Sequence, residues 1–344
     1  MLTIVPTVDT EGFHGSDPFE RFILGQVDGS REEWGVFRIA DICRRNGASA
    51  TFFTDVTESV FWGEDKFRDL TRRLSDAGCD VQLHTHPEFR GPKVGGSRET
   101  VAEKILGLTR NRKNIGRVRG PMAGLNFDHQ RAFLEAGMGM LKRWTGAAPV
   151  AHRSGGYSIN ADTVRALSAA GIALDSSMNV SHPNSKVTWS RNAIVEREGI
   201  LELPVTVQDY RLGFAGAELY RRTIKTDINA CSVAELVAFV NHAVAHGATL
   251  MNLFMHSYSL VRFDRRYRRF APDHAAARRL DRFLALMRRR SDVRVMTCAQ
   301  LLDRYRTAPA EFAGPDAVPE RNAAPMIVRS GGRAIRRFVE ARRP

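Results

Sequence analysis

The chain has 344 residues, 43% of them hydrophobic, and carries 51 Lys and Arg against 38 Asp and Glu, a formal net charge of +13. That is ample for a large core in one big α/β domain or two smaller ones, and a single barrel-like domain is the simpler fit. Four scattered cysteines (Cys43, Cys79, Cys231, Cys298) indicate neither a zinc ribbon nor a secreted disulfide framework, and no apolar run approaches the roughly 20 residues a membrane-spanning helix needs.

Apolar runs of strand length alternate with helical-period segments, the pattern of βα units around a parallel sheet. Leu2 to Val8 reads as the first strand. Glu32 to Arg45 reads as a helix stopped by Asn46-Gly47 and leads into a strand at Ala50 to Thr54. Next come a helix over Lys66 to Ala77, a strand over Cys79 to His84, a helix over Arg98 to Arg110 and a short strand over Arg117 to Gly120. A helix over Asp128 to Arg143 precedes a strand over Pro149 to Arg153, and a helix over Ala161 to Ala170 precedes a strand over Ile172 to Leu174. Leu201 to Val205 and Thr249 to Met255 read as further strands, with a helix over Val233 to His246 between them. A basic helix over Pro272 to Arg289 and a strand over Val293 to Met296 complete the pattern. About seven or eight strands result, which favours a distorted (β/α) barrel. Pro309, Pro315, Pro319 and Pro325 then break the periodicity, so residues 1–306 form the expected barrel and 307–344 a Pro-containing linker and flexible basic tail.

In such barrels the chemistry gathers at the carboxyl ends of the strands. His84 and His86 stand one residue apart where a strand ends, and side chains at i and i+2 of extended backbone share a face. Asp9 and Glu11 repeat that spacing with carboxylates at the end of the first strand. Imidazole nitrogens with carboxylate oxygens suit a divalent ion, zinc above all, and an incomplete protein shell leaves room for a hydrolytic water. Arg153 and His256 also end strands.

Five segments in this order resemble the polysaccharide deacetylase superfamily, in a subgroup associated with lipopolysaccharide and capsule synthesis. They are Thr7-Val8-Asp9-Thr10-Glu11, Ala50-Thr51-Phe52-Phe53, Asp80 through His84-Thr85-His86-Pro87, Arg153-Ser154-Gly155-Gly156-Tyr157, and Leu253-Phe254-Met255-His256-Ser257. The resemblance runs from about residue 1 to 300. It implies an N-deacetylase in which Glu11, His84 and His86 hold the metal, Asp9 is the general base, Arg153 orients it, and His256 is the general acid. Two departures leave alternatives open. Thr10 separates the two acids, so the roles of Asp9 and Glu11 can be reversed, and the usual i to i+4 histidine spacing would put Glu88 rather than His86 on the metal.

Gly155 and Gly156 allow a turn that swings Tyr157 over the pocket, to stack on a sugar ring or to sit in the core. Ser257 caps a helix or donates to substrate, and Arg119 can reach the same mouth; His14, His152 and His182 fit no pattern. Arg262, Arg265, Arg266, Arg268 and Arg269 follow the His256 strand, either as a solvated helix start or as a rim on which Arg265 and Arg266 bind an anionic or lipid-linked carbohydrate.

Six arginines against one glutamate between Met326 and Pro344 supply +5 of the charge, and the interleaved apolar residues there allow either a disordered tail or a peripheral contact with an anionic membrane. With no basic-then-apolar leader at Met1, a cytoplasmic location is expected, membrane-peripheral if the tail binds. The expected function is a metal-dependent N-deacetylase of a surface polysaccharide or lipopolysaccharide precursor. The alternatives are hydrolysis of the C–N bond of a small non-sugar amide, or a non-catalytic basic binding protein. Nucleic acid is a poor partner candidate, because no motif interleaves aromatic with basic residues, and no Gly-x-Ser-x-Gly elbow supports a serine nucleophile.

Overall fold

Strand β1 (Leu2–Thr10) is buried at every position, as a central strand of a parallel sheet covered on both faces must be. A computed structural model describes residues 1–12, 18–92, 99–108, 120–214, 217–324 and 327 of the chain. After β1 come helix α1 (Val36–Arg45), β2 (Thr51–Thr54), α2 (Ser59–Trp62), α3 (Glu64–Asp76), β3 (Asp80–Thr85), α4 (Val101–Ile105) and α5 (Phe127–Thr145). The middle of the chain forms β4 (Ala151–Ser154), α6 (Ala161–Ala170), β5 (Leu174–Asp175), β6 (Val195–Arg197), β7 (Ile200–Glu202), β8 (Val207–Phe214) and β9 (Ala217–Lys225). Then follow α7 (Val233–Ala245), β10 (Leu250–His256), β11 (Val261–Phe263), β12 (Phe270–Pro272), α8 (His274–Met287), β13 (Val293–Val295), α9 (Cys298–Thr307) and β14 (Glu320–Asn322).

The main sheet runs β10-β1-β2-β3-β4-β5-β7-β6, parallel except for the final β6–β7 pair, with β13 also on β1. This is the expected distorted (β/α) barrel. One edge of β1 pairs with β10 from Thr3 to Asp9. The other edge is divided, with β13 along Leu2–Ile4 and β2 along Thr7–Thr10. Pro6 falls in the gap between those two partners. A proline has no N–H for a ladder, and here it occupies the stretch of edge where no ladder needs one.

Among the described residues no ladder joins β7 to β10, and the barrel closes there by another route. The base of the β8–β9 hairpin crosses the seam: Thr226 N–H donates to the Thr206 carbonyl (2.7 Å), Phe254 N–H to that of Thr226 (3.1 Å) and Ile228 N–H to that of Phe254 (3.2 Å). The buried Asn252 completes the closure. Its backbone N–H donates to Thr206 Oγ1 (2.8 Å), its side-chain amide donates to Ser176 Oγ (3.0 Å), and its carbonyl oxygen accepts from Thr7 Oγ1 (2.8 Å).

The antiparallel β8–β9 and β11–β12 hairpins and helix α9 are additions to the expected pattern. The first helix starts four residues later than its apolar period suggests, because a Gln26–Glu33 bridge keeps the chain extended before it. Residues 117–119 of the short strand expected after α4 lie outside the described residues. The expected boundary at 306/307 does not mark an end of packing. Phe312 is buried against Leu250, Cys298 and Leu301, and β14 pairs in parallel with β8, so residues 307–324 lie on the barrel. The arginine-rich segment from 328 onward, with its expected membrane contact, lies outside the described residues. Within them, no helix is long and apolar enough to cross a membrane.

Replacing Asn252 with Ala leaves the Thr7 hydroxyl only its longer bond to the Leu253 carbonyl (3.4 Å) and opens the seam. The expected loss is about 2–4 kcal/mol of unfolding free energy by chemical denaturation; a loss below about 0.5 kcal/mol, the scale of an ordinary surface change, would show that the seam closes without this amide.

Candidate metal centre and active site

Parallel register brings the ends of β1, β3, β4 and β10 to one rim, with Asp9 level with His256 and His84 level with Arg153. Glu11 and His86 lie just beyond β1 and β3. The one cluster of metal-binding type among the described residues is Glu11, His84 and His86, all buried, with one ligand atom from each lying within 4.8 Å of the others. Glu11 Oε2 stands 2.9 Å from His84 Nε2 and 2.6 Å from His86 Nε2. Asp9 is directed elsewhere, to Arg153, so the two acids of the first strand are separated by partner.

The surroundings of each imidazole bear on what the cluster holds. His84 Nδ1 lies 2.7 Å from the Arg153 carbonyl, and His86 Nδ1 lies 2.9 Å from Glu88 Oε1. Both rings therefore face acceptors at both nitrogens, while a neutral imidazole has one N–H to give. Donation from Nδ1 leaves Nε2 as a lone pair aimed at a carboxylate, an arrangement that a divalent cation between them satisfies. The residues fit a metal. Without one, protons take its place: burial alone would lower the His86 pKa, but Glu11 and Glu88 outweigh it and hold the ring well above its usual range. For Glu11 burial opposes ionisation, and the two histidines reverse that, holding it well below the usual carboxylate range.

Glu88, the alternative ligand at i+4, stands behind His86 and outside the cluster. His86 is held on three further sides. Its ring stacks on Phe89 (centroids 3.9 Å apart), its backbone N–H donates to Asp55 Oδ2 (2.8 Å), and its other face lies on the Gly155 backbone. A Cβ on residue 155 would fall 2.2 Å from His86 Cε1, so the glycine is required by space. Glu58 accepts from Gly12 N–H (2.8 Å); burial and then Asp55 push its carboxyl well above the usual range, which favours its neutral form beside Glu11.

Arg153 is fully buried and every group of its guanidinium is engaged. Nη1 donates to Asp9 Oδ1 (2.7 Å), Nε to the Ser176 carbonyl (3.0 Å) and Nη2 to Ser176 Oγ (2.8 Å), with the Phe53 ring 4.4 Å away. His256 Nε2 lies 3.9 Å from Glu11 Oε1, and its ring stacks on Tyr258. Burial, followed by the charge of Lys225, holds His256 below the usual imidazole range. Ser257 donates to the Glu11 carbonyl (3.4 Å).

The face of the Tyr157 ring does not stand open above the pocket. The ring packs with Val205 and Phe254, the core alternative of the two left open above, and the Tyr157 hydroxyl accepts from Lys225 Nζ (2.9 Å). Arg265 and Arg266 are exposed in the loop of the β11–β12 hairpin, with α8 starting only at His274, so they do not begin a helix. His152 is buried between Thr85 Oγ1 and Asp175. Arg119 and His14 lie outside the described residues. Sequence reasoning passed over Lys225, Asp55, Glu58 and Asn252. The first sits in a hairpin that no βα period announces, and the others act across long separations in the chain.

No protein-family model and no curated protein matches the chain. Its fold is similar to that of the "putative polysaccharide deacetylase" of Mycobacterium smegmatis, with a TM-score of 0.51 over 90% of this chain and 91% of that one, at 19% identity. It is also similar to 4-alpha-glucanotransferase from Thermococcus litoralis, with a TM-score of 0.50 over 88% of this chain, at 10% identity. In that case the chain spans 40% of the other's length. These likenesses establish the fold, and the chemistry has to be argued from the site.

Three variants test the centre, each read by elemental analysis and by Zn2+ affinity in chelator competition. His84→Ala combined with His86→Ala is expected to lose the ion, and unchanged metal content would remove the centre. Gly155→Ala, which leaves every ligand in place, is expected to displace His86 and weaken Zn2+ strongly. Glu88→Gln is expected to weaken it by about 10- to 100-fold through the outer hydrogen bond.

Proposed function

We propose that the chain is a metal-dependent N-deacetylase of the polysaccharide deacetylase superfamily, acting on an N-acetylated sugar of a surface polysaccharide or lipopolysaccharide precursor. The observation that carries this reading is a buried carboxylate and two imidazoles converging on one point, with a second carboxylate held apart by a buried arginine on the same rim. The two nitrogens and one oxygen of this donor set suit zinc. A divalent ion in such a site supplies a Lewis acid that acidifies water and polarises an acyl oxygen.

The chain's own residues divide the rest. Arg153 fixes Asp9 through Oδ1, which leaves Oδ2 as the atom that takes the proton from the attacking water. His256 gives a proton to the departing sugar nitrogen. Its environment disfavours the charged ring, so once charged it releases that proton readily. Glu11 is committed to the ion with His84 and His86. Arg265 and Arg266 are assigned to an anionic group on the acceptor, such as a lipid-linked phosphate. Four free cysteines suit a reducing compartment, and a cytoplasmic enzyme would meet such precursors before export.

The test is acetate release from N-acetylglucosaminyl oligosaccharides by the zinc-loaded protein. Asp9→Asn should lower kcat by at least about 100-fold with metal content unchanged; release that is absent from the unaltered protein, or equal in Asp9→Asn, would refute the assignment. Serine at both 265 and 266 should raise KM for a phosphorylated acceptor at low salt, with the difference shrinking as ionic strength rises. Equal KM values at all salt concentrations would place the anion elsewhere.

A further inference from the structure

The β8–β9 hairpin that closes the barrel also delivers a cation into the site. Lys225 ends β9, and its ammonium makes three contacts: Nζ lies 2.9 Å from the Tyr157 hydroxyl, 3.4 Å from Asp227 Oδ2 and 3.5 Å from the centroid of the Phe254 ring. These match the three N–H bonds of an ammonium group. The amine is therefore spent on the protein. The phenol is not, because its oxygen accepts from Lys225 and its own O–H is left to donate.

The location of that hydroxyl is constrained from two sides. Tyr157 ends the short turn Gly155–Tyr157, whose first residue lies against the His86 ring. Phe254, beneath the ammonium, is two residues before His256 on β10, and its ring meets that of His256 edge-on at 4.8 Å. Tyr157 also holds a φ of +57°, a left-handed conformation that a residue with a side chain adopts only at a cost. Strain of this kind at the rim places the side chain where relaxed backbone would not.

We propose that the Tyr157 hydroxyl donates a hydrogen bond to the substrate oxygen that gains charge during acyl transfer, and that Lys225 is the positioning residue that aims and polarises it. The inference rests on the deacetylase reading above. As the water oxygen bonds to the acyl carbon, its proton passes to Asp9 and the carbonyl π pair moves onto the amide oxygen; Tyr157 donates to that oxygen and keeps its proton. A phenol whose oxygen already accepts from a cation is the stronger donor, and such a donor favours an oxygen carrying charge over a neutral one.

Tyr157→Phe and Lys225→Met, singly and together, test this in the zinc-loaded protein with metal content and Tm as controls. Tyr157→Phe should lower kcat by about 100-fold with KM nearly unchanged. Lys225→Met should have a smaller effect of the same kind, and with each variant compared at its own pH of maximal activity the double variant should match Tyr157→Phe, since one residue acts on the acyl oxygen through the other. Methylphosphonate, a tetrahedral anion shaped like the reacting acyl group, supplies a readout apart from turnover, and its binding should weaken about 10-fold in Tyr157→Phe. Wild-type kcat and methylphosphonate affinity in Tyr157→Phe would overturn the inference while leaving the deacetylase reading intact. Failure of the unaltered protein to release acetate would overturn that reading, and the methylphosphonate comparison would still judge the donor.

Discussion

A guanidinium with no water around it must find protein acceptors for its N–H groups, and Arg153 meets that demand by drawing four strands together. Burying a charge costs several kcal/mol unless it is paired and hydrogen-bonded, so the arrangement around Arg153 tolerates little variation. Asp9 from β1, Ser176 just past β5 and the Phe53 ring from β2 all converge on it. The backbone of the same residue accepts from His84, so one position on β4 fixes the orientation of a metal ligand and of the carboxylate assigned as base. Ser176 and Asn252 extend this network to the seam, which ties closure of the barrel to the geometry of the rim.

The alternation of strand and helix was legible because fully buried parallel strands leave long apolar runs, and β1 and β10 do so plainly. The hairpin at 207–225 was not. Its strands mix polar and apolar residues with four basic side chains, Arg211, Arg221, Arg222 and Lys225, and nothing local shows that its base crosses a barrel. Helix α9 carried a readable signal in the capping pair Thr297 and Gln300, but the prolines that follow suggested an ending. Those prolines shape a connection in which Phe312 is buried, and burial of a single aromatic residue is not announced by periodicity.

At the site, the one-residue spacing of His84 and His86 pointed directly at the cluster. Which of Asp9 and Glu11 joined them could not be read, because residues at i and i+2 share a face and differ here only in what each meets: a buried cation for one, two imidazoles for the other. The same limit applied to Glu88. Its role depends on the reach of a side chain that supports a ligand from behind, and such outer contacts are made in three dimensions without a spacing rule.

The likeness to both a deacetylase-type protein and a glucanotransferase shows how little a barrel of this kind dictates about reactivity. What individualises this chain lies in two separable regions. The metal cluster and the Asp9–Arg153 pair are built on β1, β3 and β4, while Lys225 and Asp227 arrive on a hairpin that spans the gap beside β10. The outer half of that hairpin carries neither Lys225 nor the crossing base, so it can lengthen, shorten or change composition without moving a single ligand. That half is thus a natural place for descendants of this chain to diverge in what they accept, with the reactive centre inherited unchanged.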